Sequence, residues 1–252
     1  MNASLQGRAA FISGAGHGIG RATALEMARL GATVGVNDLK PEFVEDTVAE
    51  IRKLGGQAIG LPQDVSNREG MRDAVLRFAR EAGRLDILVN NAAWVRYQPL
   101  AEITPEVMDR MVEIGFKSVI WGIQAAAEAM DAERGGSIIN VASIAGFKSP
   151  ARSVVYSGIK AGVIGLTRAA AADLGSRNIR VNAVAPGAVP TEGTAKHRNA
   201  ELDAKRIART PLSRLGTVED IADAICFLAG DGARFINAEV LRLDGGASET
   251  SL

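Results

Sequence analysis

Cysteine and histidine are scarce in this 252-residue chain, and charge of either sign is not in excess. The single cysteine, Cys226, excludes an intramolecular disulfide and any multi-cysteine metal centre. Two histidines, His17 and His197, leave little material for a zinc site, so no metal is expected. Lys and Arg total 29 and Asp and Glu total 29, a balance that argues against a nucleic-acid or anionic-membrane binder. The opening residues hold no apolar stretch of signal-peptide length. No later segment offers about 20 unbroken apolar residues. A soluble, cytoplasmic protein with no membrane partner is therefore expected. Apolar residues are plentiful, at 47%, which suffices for a large core and argues against wholesale disorder.

The apolar residues fall into short β-rich runs that alternate with longer amphipathic stretches. Strands are expected at 8–13, 33–38, 57–62, 87–90, 137–141, 180–185 and 240–243. Helical patterns lie near 18–30, 41–54, 66–82, 104–130, 153–175 and 218–229. Strands alternating with helices imply βαβ units. The expected fold is α/β, a doubly wound parallel sheet of about seven strands with helices on both faces. No linker or composition shift divides residues 1–252, so one domain is read. The segment at about 186–215, which opens with Pro186-Gly187, is less regular and carries a polar helical stretch. A long insertion of this kind reads as an active-site lid.

The first strand-to-helix turn reads Ser13-Gly14-Ala15-Gly16-His17-Gly18-Ile19-Gly20. Glycine serves where the backbone needs positive φ and where a pyrophosphate must approach without meeting a Cβ. The following helix would aim its unpaired N–H groups and positive dipole end at phosphates. The same pattern also suits a plain tight connection. Asp38, at the end of the second expected strand, lies 24 residues after Gly14. A carboxylate there can accept hydrogen bonds from ribose hydroxyls and would repel a 2′-phosphate, which favours NAD over NADP.

Tyr156 and Lys160 stand at i and i+4, on one face of an expected helix. A free phenol has a pKa near ~10, and a neighbouring ammonium would favour its ionised form. Ser143 follows the expected strand 137–141, near the carboxyl edge where open parallel sheets bind ligands. The Tyr-x-x-x-Lys spacing by itself is common on half-exposed helix faces.

Taken together, Gly14-x-x-x-Gly18-x-Gly20, Asn90-Asn91-Ala92-Ala93, Ser143, Tyr156-x-x-x-Lys160 and Pro186-Gly187 resemble the short-chain dehydrogenase/reductase family over nearly the whole chain. The resemblance implies an NAD(H)-dependent oxidoreductase interconverting a secondary alcohol and a ketone. It implies that Gly14, Gly18, Ile19 and Gly20 line the pyrophosphate and that Asp38 holds the adenosine ribose. Asp64 and Val65 would flank the adenine, and Asn91 would lie near the cofactor ribose. Val189 and Thr191 would hold the nicotinamide carboxamide. Tyr156 would be the general acid/base, Ser143 would orient the substrate oxygen, and Lys160 would bind the nicotinamide ribose and lower the tyrosine pKa. The family also implies a homo-oligomer, a dimer or tetramer built on the long helices near 104–130 and 153–175.

Three positions depart from that pattern. Ala93 and Ala238 stand where glycine is usual, and local backbone adjustment is expected at both. Gly115 stands where many members carry an asparagine that anchors a proton-relay water. This leaves two rivals open. One is an NAD-binding sensor or scaffold with weak or no turnover. The other is an NADP-dependent 3-oxoacyl-type reductase, which Asp38 opposes. The loops expected to meet substrate carry Trp94, Arg96, Tyr97, Lys148 and Arg152, and, in the lid, Glu192, Lys196, His197, Arg198, Arg206 and Arg209. Their basic side chains suit a carboxylate or phosphate on the substrate, although solvated loop surface has the same composition. Gly115→Asn is expected to leave NAD affinity intact and to keep or raise turnover. A large loss of kcat in that variant would show that the pocket is built around glycine.

Overall fold

Runs such as Ala9-Ala10-Phe11-Ile12 bury every side chain, as a strand does when both faces of its sheet are covered. The computed structural model describes residues 4–193 and 199–250, and seven strands lie there in one sheet. They are β1 (Ala9–Ile12), β2 (Thr33–Asp38), β3 (Gln57–Pro62), β4 (Ile87–Asn90), β5 (Gly136–Val141), β6 (Ile179–Pro186) and β7 (Val240–Leu243). The sheet order is β3-β2-β1-β4-β5-β6-β7, and every pairing is parallel. The chain winds outward from β1 to β3, returns to β4 beside β1, and then winds the other way. The strand ends therefore diverge between β1 and β4, and a crevice forms at their carboxyl edge.

Alternate side chains feed two cores. Ala10 and Ile12, with Val34, Val36, Ile87 and Val89, pack under α1 (Gly18–Arg29), α2 (Pro41–Lys53) and α8 (Val218–Ala229). Ala9 and Phe11, with Leu88, Ile138 and Val181, face α3 (Arg68–Ala82), α5 (Ser118–Ala129) and α6 (Val154–Leu174). The strand and helix bounds agree with the expected ones to within about two residues, apart from the stretch expected as a single helix at 104–130. That stretch divides into α4 (Pro105–Val112), a wide π-turn over Glu113–Lys117 and α5. Gly115 lies inside the π-turn, and the Ser118 hydroxyl donates to the Ile114 carbonyl at 2.6 Å across it. The polar helical stretch expected within 186–215 is α7 (Ala200–Ala208). Lys196, His197 and Arg198 lie outside the described residues.

Three buried polar side chains tie the middle strands to α6. Asn90 donates to Asn140 at 2.9 Å, and Asn140 donates to Thr167 of α6 at 3.0 Å. This is how a helix carrying reactive side chains is held at a set height over the sheet. No described helix is long and apolar enough to cross a membrane.

Ala238 shows no adjustment toward ordinary backbone. Its φ is +63°, in the left-handed region where an alanine Cβ crowds its own carbonyl. Its N–H still donates to the Val181 carbonyl at 2.9 Å, so tertiary pairing outweighs the local cost. Ala238→Gly is therefore expected to be neutral or stabilising by up to about 1 kcal/mol, the reverse of a usual loop Ala→Gly change. Urea unfolding of the two proteins side by side measures this.

Candidate active site

The glycines of the first turn are required by close approach. Gly14 has φ +65°, and a Cβ there would stand 2.9 Å from Ala92 Cα. A Cβ on Gly20 would overlap the Gly14 carbonyl oxygen at 2.1 Å. The turn is held down by Asn91, whose side-chain amide donates to the carbonyls of Ser13 (3.0 Å) and Gly14 (2.9 Å). Ser13 Oγ accepts from the backbone N–H of Asn91 and of Ala92, each at 3.1 Å. Asn91 thus reaches the turn from β4, at the point where the strand order reverses.

The first turn of α1 contains no acidic residue, and its N-cap, His17, makes no side-chain capping bond. Of the other helices, α3, α4, α7 and α8 are capped by Asn67, Thr104, Asn199 and Thr217, whereas α2 and α6 also start without a side-chain cap. An uncapped N-terminus beside a glycine turn is the arrangement a pyrophosphate would fill. Asp38 stands at the rim. One carboxylate oxygen accepts from Gly16 N–H at 3.2 Å and the other from Lys40 N–H at 3.3 Å, and both keep lone pairs to spare. A Cβ on Gly16 would meet the Asp38 carboxylate at 2.7 Å, so this glycine is what lets the acid lie against the turn. Ile19 packs on the first core, Val65 is buried, and Asp64 accepts from Ser66 N–H at 2.9 Å in the exposed loop after β3. Val189 is half-buried against the same core as Ile19, and Thr191 lies over Gly18, 3.3 Å from where its Cβ would be. Glu192, next in the chain, accepts a hydrogen bond from Gly18 N–H at 3.1 Å. The residues expected to hold a dinucleotide thus line one carboxyl edge, and their steric and hydrogen-bonding features fit that group.

The reactive cluster sits further along that edge. Lys160 is buried, and its ammonium donates to the carbonyl of Val141, the last residue of β5, at 2.6 Å. That bond draws α6 onto the strand end from which Ser143 emerges. Ser143 is buried, its hydroxyl accepts from Ala145 N–H at 3.1 Å, and it lies near enough to the Tyr156 phenol to favour its ionised form. Lys160 Nζ lies 5.8 Å from the centre of the Tyr156 ring, so both side chains share the predicted face.

Burial governs the charge states here. It pushes the Tyr156 phenol up to about 12; the neighbouring Tyr97 adds to the rise, and the Ser143 hydroxyl opposes it. Burial also lowers the Lys160 ammonium to about 8. Lowering of the phenol by Lys160 was expected from the sequence. Instead the ammonium is turned to a backbone carbonyl, and loss of water around the phenol dominates.

Of the four expected substrate residues, two come together and two stand apart. Arg96 and Arg152 line one small cavity with Gln98, Met111 and Val155. The Trp94 ring lies under the Arg110 guanidinium of α4, at 4.4 Å. Lys148 is exposed in the loop after Ser143. The aromatic partner of the reactive tyrosine is Tyr97, edge-on to Tyr156 with ring centres 5.7 Å apart and planes at 71°. The loop that carries it is pinned by Gln98, whose N–H donates to Arg152 O at 3.0 Å. Tyr97 and Tyr156 are the only tyrosines in the chain, yet their 59-residue separation contains no periodic signal that they meet. A Cβ on Gly115 would touch Ile159 Cγ2 at 3.2 Å, so the π-turn packs directly against the residue before Lys160. A cavity of about 660 Å³ opens at the other end of the sheet, near Thr33 and Gln57, and holds none of these residues.

A family model described as enoyl-(acyl carrier protein) reductase matches residues 14–248. The chain is 37% identical to the 3-oxoacyl-[acyl-carrier-protein] reductase FabG of Thermotoga maritima over 242 residues, covering 96% of this chain and 98% of the relative. It is 38% identical to the cis-4-hydroxycyclohexanecarboxylate dehydrogenase of Sinomonas cyclohexanicum, covering 98% of each. A 7α-hydroxysteroid dehydrogenase solved with NADH and 7-oxo glycochenodeoxycholic acid superposes with a TM-score of 0.94 at 33% identity, over 99% of this chain and 97% of that one.

The buried ammonium generates a test on stability. Between pH 8 and 10.5 the unfolded chain keeps a proton on Lys160 that the folded chain has shed, so folding stability gains with rising pH in that window. Below pH 8 the desolvation cost, on the order of 3 kcal/mol, is fully present. Lys160→Met is expected to be inactive but more stable than the parent at pH 7, with the difference closing above about pH 10. Chemical denaturation of both proteins across pH 7–10.5 measures it, and a pH-independent difference would contradict it.

Proposed function

The chain belongs to the short-chain dehydrogenase/reductase family, and on that premise we propose that it is an NAD(H)-dependent oxidoreductase interconverting a secondary alcohol and a ketone on a substrate that bears an anionic group. The observation that carries the chemistry is the joining of Ser143, Tyr156 and Lys160 at the end of β5. When bound, the nicotinamide supplies the hydride acceptor or donor. Ser143 holds the reacting oxygen, and Tyr156 takes the hydroxyl proton in oxidation or returns it in reduction. A phenol near 12 is protonated at neutral pH and so is set to donate to a ketone oxygen; oxidation gains as pH rises. Lys160 holds α6 to the strand and presents its charge beside the phenol. Val189 and Thr191 are the residues we assign to the carboxamide, and Asp64, Val65 and Asn91 to the adenine and ribose.

Asp38 supports NAD over NADP, because its carboxylate lies against the turn at the end of β2, where a 2′-phosphate would meet like charge. Arg96 and Arg152 meet at one recess beside Val155, the residue before Tyr156, and two cations there support an anionic substrate group, although the recess itself, at about 10 Å³, has room for no more than a water. The hydroxycyclohexanecarboxylate and glycine-conjugated bile-acid ligands of the relatives also carry carboxylates. The 3-oxoacyl reductase relative keeps the carrier-bound reading as the alternative. Assembly as a dimer or tetramer through α4, α5 and α6 belongs to this proposal, as does a cytoplasmic location. Met108 of α4 and Val154 of α6 are apolar and exposed.

A panel of paired alcohols and ketones, with and without a carboxylate, tests the whole reading against a Tyr156→Phe blank. NADH is expected to bind about tenfold or more tightly than NADPH, and Asp38→Asn should narrow the gap. Tyr156→Phe should lose about 10²–10⁴ in kcat. Preference for NADPH would overturn the cofactor assignment, and equal kcat/KM for carboxylated and plain substrates would remove the anionic group.

A further inference from the structure

The Glu192–Gly18 bond has no part in the chemistry just described, and it joins residues 174 positions apart. It brings a carboxylate to the positive end of a 12-residue helix whose own sequence provides no cap. Gly18 N–H is among the groups that the glycine turn offers to phosphate, and Gly18 itself is left-handed, at φ +56°. Thr191, the residue before Glu192, packs over the same glycine. The segment after β6 therefore holds an anion of its own at the place where the pyrophosphate would be received.

We propose that Glu192 is a built-in competitor for the dinucleotide pyrophosphate and sets how tightly this enzyme holds its cofactor. Binding must break the Gly18 N–H···Oε2 bond and expel the carboxylate from the helix end. The expelled carboxylate stays on the adjacent chain and favours release of the same phosphates. Its effect is to weaken cofactor binding and hasten cofactor departure, the step that limits turnover in many well-evolved enzymes. NAD and NADP share the pyrophosphate, so this inference does not depend on which of the two is used.

The test measures Kd for ADP-ribose, NADH and adenosine in the full-length parent, Glu192→Gln and Glu192→Ala. Glu81→Gln, on α3, serves as a control that changes net charge equally. Removing one carboxylate from a helix N-terminus should tighten ADP-ribose and NADH by about two- to fivefold. NADH dissociation in stopped flow should slow by the same factor. Adenosine, which lacks phosphate, should bind as to the parent, and Glu81→Gln should change nothing. Unchanged ADP-ribose affinity in both Glu192 variants would overturn the proposal, as would equal tightening of adenosine. Weaker ADP-ribose binding would show that Glu192 holds the cofactor instead of competing with it. A parent that binds NADPH in preference to NADH would sink the NAD assignment and leave this inference standing.

Discussion

One hydrogen bond organises the chemistry of this protein: the buried Lys160 ammonium on the carbonyl of Val141. It fastens the reactive turn of α6 to the last residue of β5. Ser143, two residues beyond that strand end, and Tyr156, one helical turn before the lysine, are thereby brought to one point. The arrangement is costly. The ammonium sits in the core and the phenol is stripped of water, so both are displaced from their ordinary charge behaviour. Functional sites commonly hold such groups where folding stability alone would not place them.

The nucleotide end is built by a different kind of constraint. There, close approach of backbone to backbone governs. Gly14 and Gly20 leave no room for a Cβ against Ala92 and against each other, and Asn91 stitches the turn to the neighbouring strand. Because the glycines are needed to close the structure as well as to admit phosphate, their presence alone is ambiguous. The uncapped start of α1 is compatible with a phosphate there but does not by itself single α1 out, since α2 and α6 also begin without a side-chain cap. No side chain of its own caps the helix end; Glu192 reaches it from a distant segment.

The sequence reads well wherever periodicity or spacing carries the signal. The Tyr156–Lys160 interval predicts a shared helix face, and the structure has it. The run 104–130 reads as one helix because its apolar period hardly falters. The π-turn around Gly115 lies against Ile159 of another element, a neighbour the local sequence does not reveal. Trp94, Arg96, Lys148 and Arg152 lie in loops, where composition indicates charge but not direction; only Arg96 and Arg152 meet, while Trp94 turns to Arg110 and Lys148 to solvent. Tyr97 lies in the same loop and turns to the reactive ring instead.

The order of strands and helices, the glycine turn, the acid at the end of β2 and the helical pairing of Tyr156 with Lys160 were settled by sequence alone, because each rests on neighbours within one element or one turn. Tertiary structure alone decided that the lysine faces a carbonyl, that burial dominates the phenol, that Ala238 tolerates a left-handed backbone, and that Glu192 reaches α1. Those outcomes depend on which segments meet across the sheet and how much water they exclude, and neither quantity has a local imprint in the chain.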